Sequence, residues 1–262
     1  MTIPRFHLVE LEDLAWFPRV IRDLATDYLQ FMETRLALHQ PVVPLLAEAL
    51  RRTASTTVVD LCAGGGGPVV ALRKELADAG VNARFILTDK FPNLPAFEQL
   101  STDDPGIEGY STPVDATDVP RSLTGFRTVF NAFHHFKPSD ARAVLQSAVT
   151  AGQPIGVFEI PERTIFIVVA TMFFTPILVL LATPFITPFR WERLLFTYLI
   201  PLVPLTCFWD GFVSQLRAYT PRELADLASS LGDVGYRWDA GKVTLRGSPA
   251  HLTYLIGVPG SG

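Results

Sequence analysis

The sequence predicts an α/β fold in which a parallel, doubly wound sheet is surrounded by helices. Short apolar runs alternate with amphipathic helical stretches over residues 55–160, and a run of four glycines, Gly64 to Gly67, directly follows the first apolar run. Strands that alternate with helices pair in parallel, because each helix returns the chain to the same end of the sheet. The 262 residues suffice for one large domain of this kind with an insertion, or for two small domains.

Two helices are expected before the sheet. Residues 18–38 carry apolar side chains at helical spacing among charged ones, and a second helical stretch ends near Arg52. Pro41 and Pro44 are expected to lie between the two, because proline interrupts a continuous helix. Residues 1–54 are therefore predicted to form an N-terminal helical segment.

The core elements follow one another in a regular order. The expected strands are residues 56–61, 83–89, 109–114, 126–133, 154–160, 236–245 and 250–258. Helical periodicity predicts helices that begin at Pro68, Ser139 and Thr220, with the serine and the threonine as N-terminal caps. Gly80 is expected to stop the first of these helices. The last two strands are expected to form an antiparallel pair that closes the sheet.

The glycine run after the first strand indicates a ligand-binding loop. A strand, a glycine loop and a helix together direct backbone N–H groups at a ligand. A phosphate-binding P-loop needs G-x-x-x-x-G-K-[ST], and no Lys-Ser/Thr pair follows these glycines. The dinucleotide motif G-x-G-x-x-G/A would end on Val69 or Val70, which weakens an NAD(P)-dependent oxidoreductase without removing it as an alternative.

Two stretches carry a resemblance to a known family. D60-L-C-A-G-G-G resembles the first motif of the class I S-adenosylmethionine-dependent methyltransferases, an acid followed by G-x-G-x-G. Cys62 stands in place of the first glycine, and Gly64 and Gly66 occupy the other two positions. F130-N-A-F-H-H-F resembles the fourth motif of the small-molecule branch of this family. The resemblance implies a Rossmann-like sheet of about seven strands.

The resemblance covers residues 55–160 and the two closing strands, with one departure. The K-P-G-G turn usual before the fifth strand is absent, and AGQP stands at residues 151–154. The implied cofactor is S-adenosylmethionine, with Asp89 accepting its ribose hydroxyls and the Asp115–Ala116 loop contacting its adenine. The residues expected to bind it are Asp60, Cys62, Ala63, Gly64, Gly65, Gly66, Asp89, Lys90, Asp115, Ala116 and Asn131.

The implied chemistry is a direct, in-line displacement at the methyl carbon. Aligning the acceptor with the methyl group is the main task of such an enzyme, and no covalent intermediate or metal is expected. A base is needed where the acceptor must lose a proton. The candidates for this catalytic role are His134, His135, Glu159 and Asp210. Adjacent histidines point in different directions, so at most one of the two is expected to reach the transfer site.

Charge and cysteine content limit the classes of partner and compartment. The formal net charge is −4 and the isoelectric point about 5.7, and no stripe of Lys and Arg is present, so nucleic acid is not an expected partner. Cys62 and Cys207 lie far apart, as in proteins of the reducing cytosol. The N-terminus lacks the apolar core of a signal peptide, which also favours a cytoplasmic protein.

An unusually apolar insertion lies between the fifth strand and the closing part of the core. Residues 164–189 contain no charged side chain over 26 positions, the tetrapeptide RWER follows, and a second apolar run covers 194–208. The first run is long enough to span a bilayer. We therefore divide the chain into the N-terminal segment, the core of residues 55–162 and 209–262, and the insertion of residues 163–208.

Topology and charge argue against an insertion that crosses a membrane. The strands on both sides must join one sheet, and Arg190 and Arg193 would have to be translocated in a two-span hairpin. The pattern favours a lid that packs on the sheet, the substrate or a second subunit of a homodimer. A hairpin that dips into one leaflet remains open, which would make the protein peripheral at the cytoplasmic membrane face. Both the lid and the one-leaflet hairpin imply a small lipophilic acceptor. A non-catalytic, membrane-associated relative that only binds the cofactor is the alternative to an enzyme.

Overall fold

The structure, a computed structural model, describes residues 2–67 and 69–260. The chain forms two compact units. The helical unit comprises Met1–Leu36 and Pro161–Ala218, and the sheet unit comprises Ala37–Ile160 and Tyr219–Gly262.

The sheet unit contains the predicted seven-stranded sheet. Its strands are β1 (Thr57–Leu61), β2 (Arg84–Leu87), β3 (Ile107–Gly109), β4 (Phe126–Phe130), β5 (Ile155–Glu159), β6 (Tyr236–Thr244) and β7 (His251–Pro259). They lie in the order β3-β2-β1-β4-β5-β7-β6. The first five strands pair in parallel, whereas β7 is antiparallel to both β5 and β6. The doubly wound sheet with an antiparallel closing pair is confirmed.

Nine α-helices belong to the described residues. They are α1 (Arg19–Arg35), α2 (Val42–Thr53), α3 (Val69–Asp78), α4 (Leu94–Asp103), α5 (Pro138–Thr150), α6 (Ile165–Ala182), α7 (Trp191–Leu194), α8 (Leu202–Arg217) and α9 (Pro221–Ser229). Side chains of β1 alternate between two apolar clusters, because successive strand residues point to opposite faces. The cluster around Val58 includes side chains of α2 and α3, and the cluster around Val59 includes side chains of α5 and α9.

Several predicted element boundaries needed correction. The third strand covers Ile107–Gly109, and residues 110–114 leave the ladder, where Pro113 has no N–H to donate. Pro44 does not separate α1 from α2 but lies in the first turn of α2, where an N–H has no helical partner in any case. For the same reason α5 begins at Pro138, so Ser139 is inside the helix.

Two predicted helix boundaries are confirmed by their geometry. Gly80 follows α3 with a φ of +77°, a left-handed conformation that suits a residue without a side chain. Thr220 caps α9 through a capping box in which its hydroxyl accepts from the Glu223 N–H and the Glu223 carboxylate accepts from the Thr220 N–H. Pro68, predicted as the first residue of its helix, lies outside the described residues.

The helical unit packs α1, α6 and α8 around a core of its own. Leu24 and Tyr28 of α1, Val179 of α6 and Val203 of α8 are buried together in one apolar cluster. By length and composition, the stretch Ile165–Phe185 is able to cross a membrane. A second candidate consists of two helical pieces, Trp191–Leu199 and Leu202–Arg217, that bend by 75° at their junction.

Candidate functional site

The carboxyl ends of β1, β2, β4 and β5 bring most of the predicted site residues to one edge of the sheet. β1 and β4 are neighbours in the sheet, and the chain continues from β1 to β2 on one side and from β4 to β5 on the other. Such a position is a topological switch point, where doubly wound folds bind their ligands beyond the strand ends. The edge is therefore the candidate functional site.

Asp60 lies at the end of β1 and is buried. Its Oδ1 accepts a hydrogen bond from the Thr128 hydroxyl at 2.8 Å, across the strand pair that sets the two residues opposite each other. Burial raises the pKa of Asp60 to about 7; the hydrogen bond from Thr128 opposes this change, and the charge of Asp89 adds to it. A cation that binds beside such a carboxyl group stabilises its ionised form.

Asp89 ties the glycine loop to the end of β2. Its Oδ2 accepts the Gly64 N–H at 2.8 Å, and its Oδ1 accepts the Phe91 N–H at 2.8 Å. The loop turns sharply, since Cys62 and Gly64 have φ values of +59° and +56°. A side chain at Gly64 would find no protein atom within 4 Å, so the space beside this backbone is open.

The rest of the loop is closely packed. Gly66 has a φ of +87°, and a Cβ atom there would collide with the side chain of Leu100. Ala63 donates its N–H to the Thr88 carbonyl oxygen at 2.9 Å, and Gly65 is half-buried between the two. Glycine at position 66 therefore suits both the conformation and the available space.

Lys90 and Asp115 form an ion pair at the same edge of the sheet. Lys90 Nζ lies 2.8 Å from Asp115 Oδ2, and Asp115 Oδ1 accepts the N–H and the hydroxyl of Thr117 at 2.9 and 2.7 Å. The hydrogen bonds from Lys90 and then from Thr117 lower the pKa of Asp115 to about 2. Ala116, predicted to contact adenine, is buried beside it.

The pKa of the Cys62 thiol reflects the burial and the negative charge of this edge. Burial raises the pKa of its thiol to about 12, and four carboxylates contribute to the rise, those of Asp89, Asp60, Asp115 and Glu159. The thiol is therefore protonated and inert as a nucleophile at neutral pH. A cluster of carboxylates around a glycine loop attracts a cation and repels a phosphate.

A buried histidine and glutamate form a dyad between β4 and β5. Glu159 Oε2 lies 2.6 Å from His134 Nδ1, and Glu159 Oε1 accepts the Phe133 N–H at 2.7 Å. The rings of His134 and His135 lie 4.4 Å apart. Asn131, with a φ of +49°, starts this turn and accepts the Ile160 N–H through its Oδ1 at 2.9 Å.

The dyad geometry assigns different roles to its two members. When Nδ1 carries the proton that Glu159 accepts, Nε2 of the neutral His134 ring is the nitrogen able to accept a proton. Glu159 uses both oxygens to hold the turn and the ring. We therefore regard His134 as the candidate base and Glu159 as its positioning residue.

Asp210 belongs to the helical unit. Its carboxylate accepts the N–H groups of Leu11 and Glu12 at 2.6 and 3.3 Å, at the short 3₁₀ helix Leu11–Asp13. Burial raises its pKa to about 6, and these two hydrogen bonds oppose the change. These contacts hold the N-terminal segment in place, and they give no support to a catalytic role for Asp210.

Two threonines that were not predicted also belong to the site. Thr128 bonds Asp60, and Thr117 bonds Asp115. The first signal was a polar residue inside the apolar strand sequence FRTVF, and the second was the D-A-T turn, in which an aspartate commonly bonds the residue two positions on. The D-A-T turn identifies its own partner, whereas the partner of Thr128 is decided by strand register.

The sheet order and the position of the site define the class of fold. A sheet β3-β2-β1-β4-β5-β7-β6 with β7 alone antiparallel, and a glycine loop after β1, is the Rossmann-like fold of the class I S-adenosylmethionine-dependent methyltransferases. This confirms the predicted fold class. No protein-family model matches the sequence, and no curated protein matches it.

Solved structures of methyltransferases share this fold. The plantazolicin methyltransferase BamL superimposes with a TM-score of 0.51 at 9% identity, over 91% of this chain and 98% of BamL. An O-methyltransferase family protein from Burkholderia thailandensis gives 0.50 at 17% identity, over 92% of this chain and 63% of its own. Human N-acetylserotonin methyltransferase gives 0.49 at 16% identity, over 90% of this chain and 57% of its own. The chain thus spans less than two thirds of the latter two proteins, and at these identities the likeness shows the fold.

Proposed function

We propose that the protein is an S-adenosylmethionine-dependent methyltransferase that acts on a small, lipophilic acceptor. The observation that carries the proposal is the placement of Asp60, Asp89 and Asp115 around the glycine loop at the topological switch point. BamL, which has this fold, was crystallised with S-adenosylhomocysteine and a triazolic desmethylplantazolicin analogue. Its ligands support a cofactor of the same chemistry here.

The residues present fit this cofactor. When bound, S-adenosylmethionine supplies a methyl group on a positively charged sulfonium. Asp89 and Asp115 would hold its hydroxyl and amino donors, because ionised carboxylates accept such bonds strongly. The buried Asp60 would favour the positive charge, and the open space beside Gly64 leaves room next to the loop backbone.

The same features disfavour a dinucleotide cofactor. NAD(P) carries a pyrophosphate, whose negative charges would meet the carboxylates around Cys62. The third glycine of the dinucleotide motif is also replaced, and Val69 is buried in the first turn of α3. The NAD(P)-dependent oxidoreductase is therefore not favoured.

In the proposed reaction the protein aligns the acceptor and accepts its proton. Alignment accounts for most of the acceleration of a displacement at carbon. For a hydroxyl or amine acceptor, Nε2 of His134 would take the proton, while Glu159 stabilises the positive charge that then develops on the ring. The contact of 2.6 Å between Glu159 and His134 Nδ1 supports this division of roles.

The lipophilic character of the acceptor is proposed from the composition of the helical unit. Its insertion exposes large apolar side chains along α6 and α8, including Phe173 and Leu205. Monomeric soluble proteins rarely carry an extended apolar surface without a function for it. An enzyme with such a surface is suited to substrates that partition into lipid.

The experiment that tests the proposed function is a methyl-transfer assay. The protein is incubated with methyl-labelled S-adenosylmethionine and a panel of lipophilic phenols, quinols, amines and carboxylic acids, and label is counted in the organic phase. We expect labelled product with at least one acceptor and a large loss with His134→Asn. Cofactor binding without product across the panel would favour the non-catalytic relative that only binds the cofactor.

A further inference from the structure

The outer face of α6 is apolar and exposed along the whole helix. Nine of its large apolar side chains are exposed, among them Phe166, Val169, Phe173, Phe174, Ile177 and Leu181. They occupy an arc of about 220° on the helical wheel. The buried residues of the helix, Val168, Val179 and Ala182, lie on the remaining side. In all, 17% of the apolar stretch within Ile165–Phe185 is buried. We call this surface the α6 face.

The α6 face has the composition and length of a lipid-facing surface. Interfaces between protein copies contain about one hydrogen bond per 100–200 Å², together with a polar rim. Residues 164–189 contain no charged side chain, and their polar side chains are threonines. Along the 21 residues Ile165–Phe185 this uncharged surface extends about 31 Å as a helix.

The arginines after this helix do not oppose contact with lipid. Arg193 is buried, and its guanidinium donates to the carbonyl oxygens of Ile186 and Pro188 at 2.8 and 3.0 Å. Both Arg193 and Arg190 pair with Asp27 of α1, at 2.6 and 3.4 Å. From sequence, Arg190 and Arg193 argue against a two-span hairpin, and their carboxylate partner Asp27 is more than 160 residues away.

The packing of α1 restricts how deeply the unit can enter a bilayer. Leu24 and Tyr28 pack beside Val179 of α6 and Val203 of α8. The other side of α1 carries charges, and the Arg19 side chain is 84% exposed. α1 packs against the C-terminal part of α6. A spanning hairpin would have to carry this end of α6 across the bilayer, together with the charges of α1. The unit therefore suits insertion from one side.

Aromatic residues in the helical piece Trp191–Leu199 complete the surface. Trp191 is 62% exposed and Tyr198 is 49% exposed. The Tyr198 hydroxyl donates to the Leu180 carbonyl oxygen at 2.6 Å. Exposed Trp and Tyr with a polar end are typical of the region where lipid headgroups meet acyl chains.

From these observations we propose that the α6 face inserts into the acyl region of one leaflet of a phospholipid bilayer while α1 stays on the water side. The occupant of the face is lipid, and apolar burial rather than headgroup charge supplies the attraction. The inference is independent of the proposed function, since membrane insertion and cofactor binding are measured separately.

Vesicle flotation of the full chain tests the insertion. With vesicles of phosphatidylcholine alone, we expect the protein to float at both low and high salt. The double variant Phe166→Ser/Phe173→Ser removes two side chains that are 63% and 64% exposed, and it should lower the partition coefficient about 30-fold or more. Phe91→Ser, at an 82% exposed position of the sheet unit, is the matched control and should float like the parent.

Two results of the flotation and light-scattering measurements would overturn the proposal. One is a parent protein that does not float. The other is a parent that forms a dimer in light scattering and that the double serine variant converts to a monomer, because a second copy would then cover the face. Circular dichroism checks that the variants are folded, which their exposed positions favour.

A cysteine on α1 separates insertion into one leaflet from a span. Thr34→Cys, at an exposed position of α1, is labelled with a membrane-impermeant maleimide added outside preloaded vesicles, with the parent chain as background. If insertion is one-sided, Thr34→Cys should be labelled at the same rate in the presence of vesicles as in their absence. Protection of this cysteine until detergent is added would contradict it and indicate a two-span hairpin.

Discussion

At the scale of single residues, Asp89 makes the most specific contribution expected for cofactor binding. Asp89→Ala removes an ionised acceptor, and hydrogen bonds to charged groups are worth about 1.5–3 kcal/mol. We expect the affinity for S-adenosylhomocysteine to fall about 10- to 100-fold in calorimetry, with the chain still folded. Asp78→Ala, an exposed acid at the end of α3, is the control. Unchanged affinity in Asp89→Ala would show that the assignment is wrong.

Asp60 predicts a pH dependence of stability. Its ordinary pKa of 3.8 rises to about 7 in the folded protein, so the folded state binds the proton more tightly than the unfolded state. The stability contributed by the protonated group is complete below pH 3.8 and is lost as the pH rises through about 7. We therefore expect the free energy of unfolding of the parent, relative to Asp60→Asn, to fall between pH 4 and pH 8.

Urea unfolding of both proteins at several pH values measures this difference. The other titrating groups are common to the two proteins, so their effects cancel in the comparison. Parallel stability curves would mean that Asp60 has an ordinary pKa in the folded state.

Glu159 is expected to act through His134. Glu159→Gln keeps an acceptor for the Phe133 N–H but removes the charge beside Nδ1. For an acceptor that loses a proton, we expect kcat to fall about 10- to 100-fold, within the range of general-base effects, with cofactor affinity nearly unchanged. A shift of the pH–rate profile should accompany the loss, which a purely structural role would not produce. Equal losses in cofactor affinity and in kcat would contradict the assignment.

At the scale of elements, the glycine loop offers a matched pair of substitutions. Gly66→Ala meets both a φ of +87° and the Leu100 side chain, whereas Gly64→Ala meets a φ of +56° and no protein atom within 4 Å. Strain from φ costs about 1–3 kcal/mol and applies to both variants. The Leu100 contact adds to it only in Gly66→Ala, which should therefore destabilise the protein more in thermal unfolding. Gly64→Ala should lose cofactor affinity beyond its effect on stability, because the ligand is expected to use the open space. A Gly64→Ala variant that binds S-adenosylhomocysteine like the parent would place the ligand elsewhere.

The elements that could be predicted from sequence are those with a local signal. The glycine loop after β1, the stop at Gly80 and the cap at Thr220 are each encoded within a few residues. The third strand was placed too late in the sequence, at 109–114 instead of Ile107–Gly109, because its position depends on how this segment meets β2. The contacts of Asp60 with Thr128 and of Glu159 with His134 join neighbouring strands, and register between strands has no local sequence signal.

At the scale of the whole molecule, the chain combines a sheet unit and a helical unit with opposite surface chemistry. The sheet unit concentrates carboxylates at the carboxyl ends of its parallel strands. The helical unit exposes apolar side chains along α6 and neutralises Arg190 and Arg193 with Asp27. Asp27 and the two arginines are more than 160 residues apart, so their pairing emerged from the structure.

The proposal that the sheet unit binds S-adenosylmethionine is tested most directly by isothermal titration calorimetry of the full chain. Separate titrations use S-adenosylmethionine, S-adenosylhomocysteine and NAD⁺ under the same conditions. Carboxylates around the glycine loop favour a cationic ligand, so we predict saturable binding of the first two at one site per chain and no binding of NAD⁺. Tight binding of NAD⁺ with no heat from either adenosyl ligand would contradict the proposal and support an oxidoreductase.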